Sequence, residues 1–182
     1  LSMKLLWVAS CCISHALAAC AVAPDRNGHV AWSGGDIQSR AFDECGALVS
    51  ISIGGSVRSI GAHAFAWCGS LRNVTIPEGV RTIGTAAFSH CLQLGAVRIA
   101  GSVREIGDRA FKSCNSLEDL AIGEGVVTIG AEAFLGDSRL IAVAVPNSVA
   151  SIGESAFREC QRLTFLTVGS GVTSIGAYAF FG

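Results

Sequence analysis

The sequence predicts an α/β solenoid built from coils of 23 residues, and three observations carry that prediction. First, an Ala-Phe pair recurs with its phenylalanine at Phe42, Phe65, Phe88, Phe111, Phe134, Phe157 and Phe180, a spacing of 23 with no insertion. Second, apolar residues recur at fixed offsets from that marker. One column holds Leu48, Leu71, Leu94, Leu117, Leu140 and Leu163, and another holds Ile51, Val74, Val97, Leu120, Val143 and Leu166. Ile53, Ile76, Ile99, Ile122, Val145 and Val168 form a third, Val57 to Val172 a fourth, and Ile60 to Ile175 a fifth whose members are each followed by Gly. Third, the paired positions separated by one residue, as in "VTI" at 74 to 76, alternate inward and outward as a short strand does. A single coil cannot bury its own apolar face, so such columns mean stacking of each residue on its equivalent in the next coil. Neighbouring coils are then expected to pair their strands in parallel.

The elements follow in chain order. Residues 1–19, "LSMKLLWVASCCISHALAA", hold one Lys and then an apolar run of about 15 residues, shorter than the roughly 20 that a membrane-crossing helix needs. The stretch reads as an export signal. Leu17-Ala18-Ala19-Cys20 resembles a bacterial lipobox, and that resemblance implies lipidation of Cys20 as the first residue of the mature protein, hence a lipid anchor to a membrane. A plain cleaved signal and an apolar segment capping the domain are the alternatives. Residues 20–36 are expected to be an N-terminal cap containing one degraded coil, because Val30 lies 23 before Ile53 and Ile37 lies 23 before Ile60. Residues 37–182 are the solenoid proper, six full periods. In each, the glycine after the Ile is placed where a turn calls for positive φ, and the "GAHAF" segment is expected to return along the outer wall as a short helical or 3₁₀ turn. Pro77 and Pro146 fall at strand ends, where a missing N–H is tolerated. The last coil stops at "AYAFFG" with no visible cap, so that edge is expected to be covered by another copy or to mark a truncated chain.

Taken together, the pattern L-x-x-[VIL]-x-I-[PG]-x-[GS]-V-x-x-I-G-x-x-A-F-x-x-C resembles the 23-residue leucine-rich repeat of the treponemal, BspA-like type over residues 37–182. The resemblance implies a curved right-handed solenoid with its strands on the concave side. It also implies attachment and protein binding at bacterial or parasite surfaces, the individual ligand being left open because fold does not fix function.

Composition narrows the chemistry. Thirteen basic and fourteen acidic residues leave a net charge of −1 and no basic run to neutralise a row of phosphates, so nucleic acid is discounted as a partner. Cys45, Cys68, Cys91, Cys114 and Cys160 each follow the marker Phe by three, with Asp137 in that place in one coil. A straight column spaced by about 4.8 Å neither suits a disulfide nor closes a tetrahedron around zinc, so buried reduced thiols are expected. Asp137 in "GDSRL" is expected to sit in an outward-turned loop, the alternative being a buried carboxylate. The four His share no column, no Ser lies in a nucleophile elbow, and the repeated "GGSV" and "GEGV" lack the Lys-Ser/Thr of a phosphate loop. The reading is therefore of a protein that is not an enzyme and needs no cofactor or metal.

Binding is expected on the strand residues that face away from the core. Small and apolar members gather toward the C-terminal half, and the candidate patch is Ala96, Ala121, Ile141, Ala142, Ala144, Phe165 and Thr167. The expected function is a non-catalytic, exported or surface-anchored binding protein, periplasmic or on the cell surface, whose partner is a host protein or a second copy. A carrier that holds an apolar small molecule or lipid in the trough, and a self-associating homo-oligomeric scaffold, are the alternatives.

Overall fold

The structure, a computed structural model, describes residues 20–182. The expected signal peptide at 1–19 lies outside the described residues. From the N-terminus the strands are β1 (His29–Trp32), β2 (Ser50–Ile53), β3 (Ser59–Ile60), β4 (Asn73–Ile76), β5 (Thr82–Ile83), β6 (Ala96–Ile99) and β7 (Glu105–Ile106). They continue as β8 (Asp119–Ile122), β9 (Thr128–Ile129), β10 (Ala142–Val145), β11 (Ser151–Ile152), β12 (Phe165–Val168) and β13 (Ser174–Ile175). Each full coil thus supplies one four-residue strand, one two-residue strand and a turn segment carrying the marker Phe.

From β2 onward the paired strands of both sets run parallel and in register at the 23-residue offset, as Val74↔Val97 and Ile83↔Ile106 illustrate. The short strands form one sheet in the order β13-β11-β9-β7-β5-β3. The long strands alternate as expected: in β4, Val74 and Ile76 are buried while Asn73 and Thr75 are exposed. Every marker Phe from Phe42 to Phe157 is buried, and successive rings stack nearly parallel, from 4.9 Å between Phe65 and Phe88 to 5.3 Å between Phe157 and Phe180. The ring spacing matches the strand spacing because both are set by the coil repeat.

The outer wall differs from the expectation. Among the described residues there is no helix, so the α component of the predicted α/β class and the helical or 3₁₀ return are corrected. The reason lies in two backbone positions per coil. The residues two before and two after each marker Phe have positive φ: Arg40 and Glu44, His63 and Trp67, Ala86 and His90, and so on to Tyr178 and Gly182. A helix needs consecutive right-handed φ, and this wall interrupts them every four residues. Alternate N–H groups consequently reach the next coil, Arg40, Phe42 and Glu44 donating to the carbonyls of Ala62, Ala64 and Ala66 at 3.0, 2.7 and 2.7 Å. The residues between them close single turns within their own coil, as when Ala41 N–H donates to Gln38 O.

The Ile-Gly glycines are corrected in the same way, since none of them has positive φ. They are required by close approach: a Cβ on Gly107 would stand 2.8 Å from the backbone carbon of Gly84 in the coil before. The left-handed positions fall instead beside the Phe, mostly to non-glycine residues, with Gly136 and Gly182 the glycines among them.

Two junctions in the long-strand sheet are open, and a proline follows the second strand at each. At the residue following the strand, Gly54, Ala100 and Gly169 donate their N–H to Trp32 O, Ile76 O and Val145 O of the preceding coil, whereas Gly123 makes no such bond although β6 and β8 pair along their length. Pro77 and Pro146 occupy the same column and have no N–H to give. There the ladder fails: β2–β4 keeps only the Ser50↔Asn73 pair, and β8–β10 has none, dividing the face into sheets β1-β2-β4-β6-β8 and β10-β12. On the strands that precede the openings, the inward residues Ile53, Leu120 and Ile122 are only partly buried, unlike Val97 and Ile99 within the continuous ladder.

The N-terminal cap is built from substitutes for a missing coil. β1 pairs with β2 as Val30↔Ile51 and Trp32↔Ile53, an offset two shorter than the expected Val30–Ile53 match. A slip of two keeps Val30 inward, and Ile37↔Ile60 holds the expected offset. The Asp36 carboxylate accepts from Arg58 N–H and Ser59 N–H at 2.7 and 2.9 Å, in place of a carbonyl that no earlier coil provides. Those two bonds hold its carboxyl below the usual range. Trp32 meets the face of Phe42 edge-on at 5.7 Å and closes the ring stack.

Candidate functional site

The cysteine column comes first, because the structure assigns its members. Cys68, Cys91, Cys114 and Cys160 are buried and free, and each thiol donates to the carbonyl of the marker Phe one coil earlier, at 3.0 to 3.4 Å. Burial pushes the Cys160 thiol up to about 12 and the Cys68 thiol higher still, so these sulfurs are not nucleophiles. Cys45, in the first coil, has no earlier Phe carbonyl to meet. Its sulfur is joined to Cys20, with Cα atoms 5.3 Å apart. This corrects two expectations, the reduced Cys45 and the lipidated Cys20, since one sulfur cannot hold both a disulfide and a lipid thioether. Column spacing argues only against a bridge within the column, and Cys20 approaches from outside it.

Asp137 is likewise corrected. Its side chain is fully buried, with Oδ1 accepting from Cys114 N–H at 2.8 Å and Oδ2 lacking a hydrogen-bond partner. Burial drives its carboxyl well above the ordinary range.

The surface free for recognition is the outward side of the long strands. The predicted C-terminal residues come together there: Ala142 and Ala144 of β10 stand in register with Phe165 and Thr167 of β12, and all four are exposed. Phe165 is 69% exposed and Ile141, just before β10, is exposed too. Ala96 and Ala121 lie apart from this group. They are half-buried on β6 and β8, beside an exposed ion pair in which Arg98 Nη2 meets Asp119 Oδ2 at 2.7 Å. A groove of about 290 Å³ lies near the Pro146 opening, lined by Glu124, Ala144, Asn147 and Thr167 among others.

A second groove, of about 410 Å³, lies near the Pro77 opening and was not anticipated from the sequence. There His29 Nδ1 is 2.8 Å from Ser50 Oγ and its Nε2 3.3 Å from Ser52 Oγ, with Asn73 and Thr75 completing a polar wall. A strict 23-residue alignment sets His29 opposite Ser52, and the shortened offset of β1 moves it opposite Ser50 with both hydroxyls in reach. The face therefore has a hydroxyl-rich end and an apolar end, separated by an ion pair.

Parallel strands stacked at one repeat length around a continuous apolar core define a leucine-rich repeat solenoid. The chain belongs to the BspA type leucine rich repeat family, whose six-copy model matches residues 35–147 and 127–182. Among solved structures it is similar to a leucine rich repeat protein from T. pallidum, at 32% identity and a TM-score of 0.75, covering 81% of this chain and 72% of that one. It also resembles leucine-rich repeat proteins from Bacteroides ovatus (23% identity, TM-score 0.65, 85% of this chain and 46% of that one) and Eubacterium ventriosum (18%, 0.57, 75% and 47%). These last two share the right-handed solenoid fold, and this chain spans less than half of each. No curated protein matches.

Proposed function

We propose that this chain is a non-catalytic, exported binding protein that engages a protein partner through the outward side of its long strands. The observation that carries the reading is the exposed set Ile141, Ala142, Ala144 and Phe165, a contiguous apolar patch that the fold does not use for its own core. An aromatic anchor among small residues, rimmed by Thr167 and Asn147, is the composition of an interface hot spot. The Cys20–Cys45 disulfide supports export, because such bonds persist in oxidising compartments. Periplasm or cell surface is the corresponding location, with any lipid anchor attached elsewhere than Cys20. A second copy is the other partner this patch fits. The carrier reading has less support, since the adjoining groove of about 290 Å³ is lined by Glu124 and Asn147 and is open.

Native mass spectrometry separates these readings: a bare monomer favours an outside protein, a multiple of the chain mass favours self-assembly, and a few hundred added daltons favour a carried lipid. Phe165→Asp is expected to leave thermal stability unchanged, given its exposure, while abolishing partner capture or the oligomer. A folded variant that binds and assembles like the parent would remove the patch from the function.

A further inference from the structure

We propose that the turn wall, on a different side of the coil from the long strands, carries a binding pit for one acidic sugar ring. The pit lies over a small residue between two long ones. In the column two before the marker Phe stand Arg40, His63, Ala86, Arg109, Glu132, Ser155 and Tyr178, and Ala86 is the smallest of them. All seven share the left-handed backbone that holds the column in register. Between the long side chains of His63 and Arg109 in the adjacent coils, Ala86 leaves a hollow of about 250 Å³, which Ser89 and Lys112 also border. That volume suits one six-membered ring, not an extended chain.

The walls divide by chemistry. On one side Trp67 and His90 lie face to face, centroids 4.0 Å apart and 12° from parallel, and Trp67 remains 53% exposed. An exposed indole supplies an apolar surface for the C–H face of a sugar. On the other side Arg109 and Lys112 bring two positive charges. Glu132 engages both, through Arg109 Nε and Nη2 at 3.1 Å each and Lys112 Nζ at 2.7 Å, yet Glu132 does not line the pit, and neither does Asp108. A guanidinium has five N–H donors and an ammonium three, so both cations keep donors beyond those Glu132 takes. The lining therefore holds two cations whose spare donors favour an anion, Glu132 taking part of their charge from outside the hollow. His63 and Ser89 offer partners for hydroxyls. Burial, and secondarily Lys112, favour the neutral imidazole of His90, which can donate or accept. An aromatic carboxylate would satisfy the cations and leave these groups unused; a uronic acid residue satisfies both.

The test is ligand-observed NMR with the disulfide-intact protein and three probes: methyl glucuronide, methyl glucoside and benzoate. Methyl glucuronide is expected to bind with a millimolar Kd, the scale for a single ring, and the neutral glucoside about tenfold more weakly or not at all. Ala86→Glu places in the pit a side chain that Glu132 already carries at nearly the same φ two coils further along the column, so the variant is expected to fold and to lose glucuronide binding. Lys112→Gln is expected to weaken it about tenfold. No binding to the parent, equal binding of glucoside, tighter binding of benzoate, or unchanged binding in a folded Ala86→Glu variant would each overturn the proposal.

Discussion

Asp137 breaks the rule its column otherwise keeps. Where four coils place a thiol that donates to a Phe carbonyl, this one buries a carboxyl with one oxygen unpartnered. Below the ordinary value of 3.8 both folded and unfolded chains hold the proton, and the group is neutral in either state. As pH rises past that value the unfolded chain ionises while the folded one retains its proton, so stability falls until the raised folded pKa is reached. Asp137→Cys is expected to remove that slope and to gain about 1–3 kcal/mol near neutral pH, the cost of an unsatisfied buried polar group. Urea denaturation at about pH 4 and about pH 7 checks it; a variant no more stable than the parent at the higher pH would show that Asp137 is accommodated in some other way. The column was legible in the sequence, but the direction of this side chain was not. A polar residue in a loop-like "GDSRL" usually turns outward, and only the fixed coil geometry keeps this position inside.

At the scale of elements, the long strands and their facing were legible because alternation and a strict repeat give both period and register. Three features were not. The left-handed residues beside each Phe have side chains such as Trp67, His90 and Arg109 that carry no turn signal, and their conformation is fixed by hydrogen bonds to the next coil. The proline effect was half legible: Pro77 and Pro146 were placed at strand ends, yet the loss of ladder beyond them depends on what the neighbouring coil would have offered. Pro146→Ala is expected to restore an N–H facing Ile122 O and to extend pairing between β8 and β10, seen as slowed amide exchange in β10. Exchange as fast as in the parent would mean the opening has another cause. The disulfide was illegible because column spacing argues only about residues inside the column. Replacing Cys20 and Cys45 together by Ser opens a loop spanning a sequence separation of 25, at a cost of about 3 kcal/mol. Loss of protection is expected first in β1, measured by hydrogen exchange.

For the whole molecule, stability is a sum over coils and their interfaces, so damage to one central interface propagates. Phe111 stacks between Phe88 and Phe134 at 5.1 and 5.3 Å. Phe111→Ala is expected to cost about 3–5 kcal/mol, the range for a buried aromatic, and thermal unfolding measures it. An unchanged melting temperature would contradict the Phe stack as the axis of the core.

The repeat, its length, the inward columns and the family were determined by the sequence alone, because a 23-residue period repeated without insertion admits one way of burying its apolar residues. Tertiary structure decided what stands at the exceptions. It set the first strand two residues out of the strict offset, joined Cys45 to Cys20, opened the sheet at two prolines, and left a hollow at Ala86. Each of these depends on what an adjacent coil does or does not supply, a relation between segments that no single repeat contains.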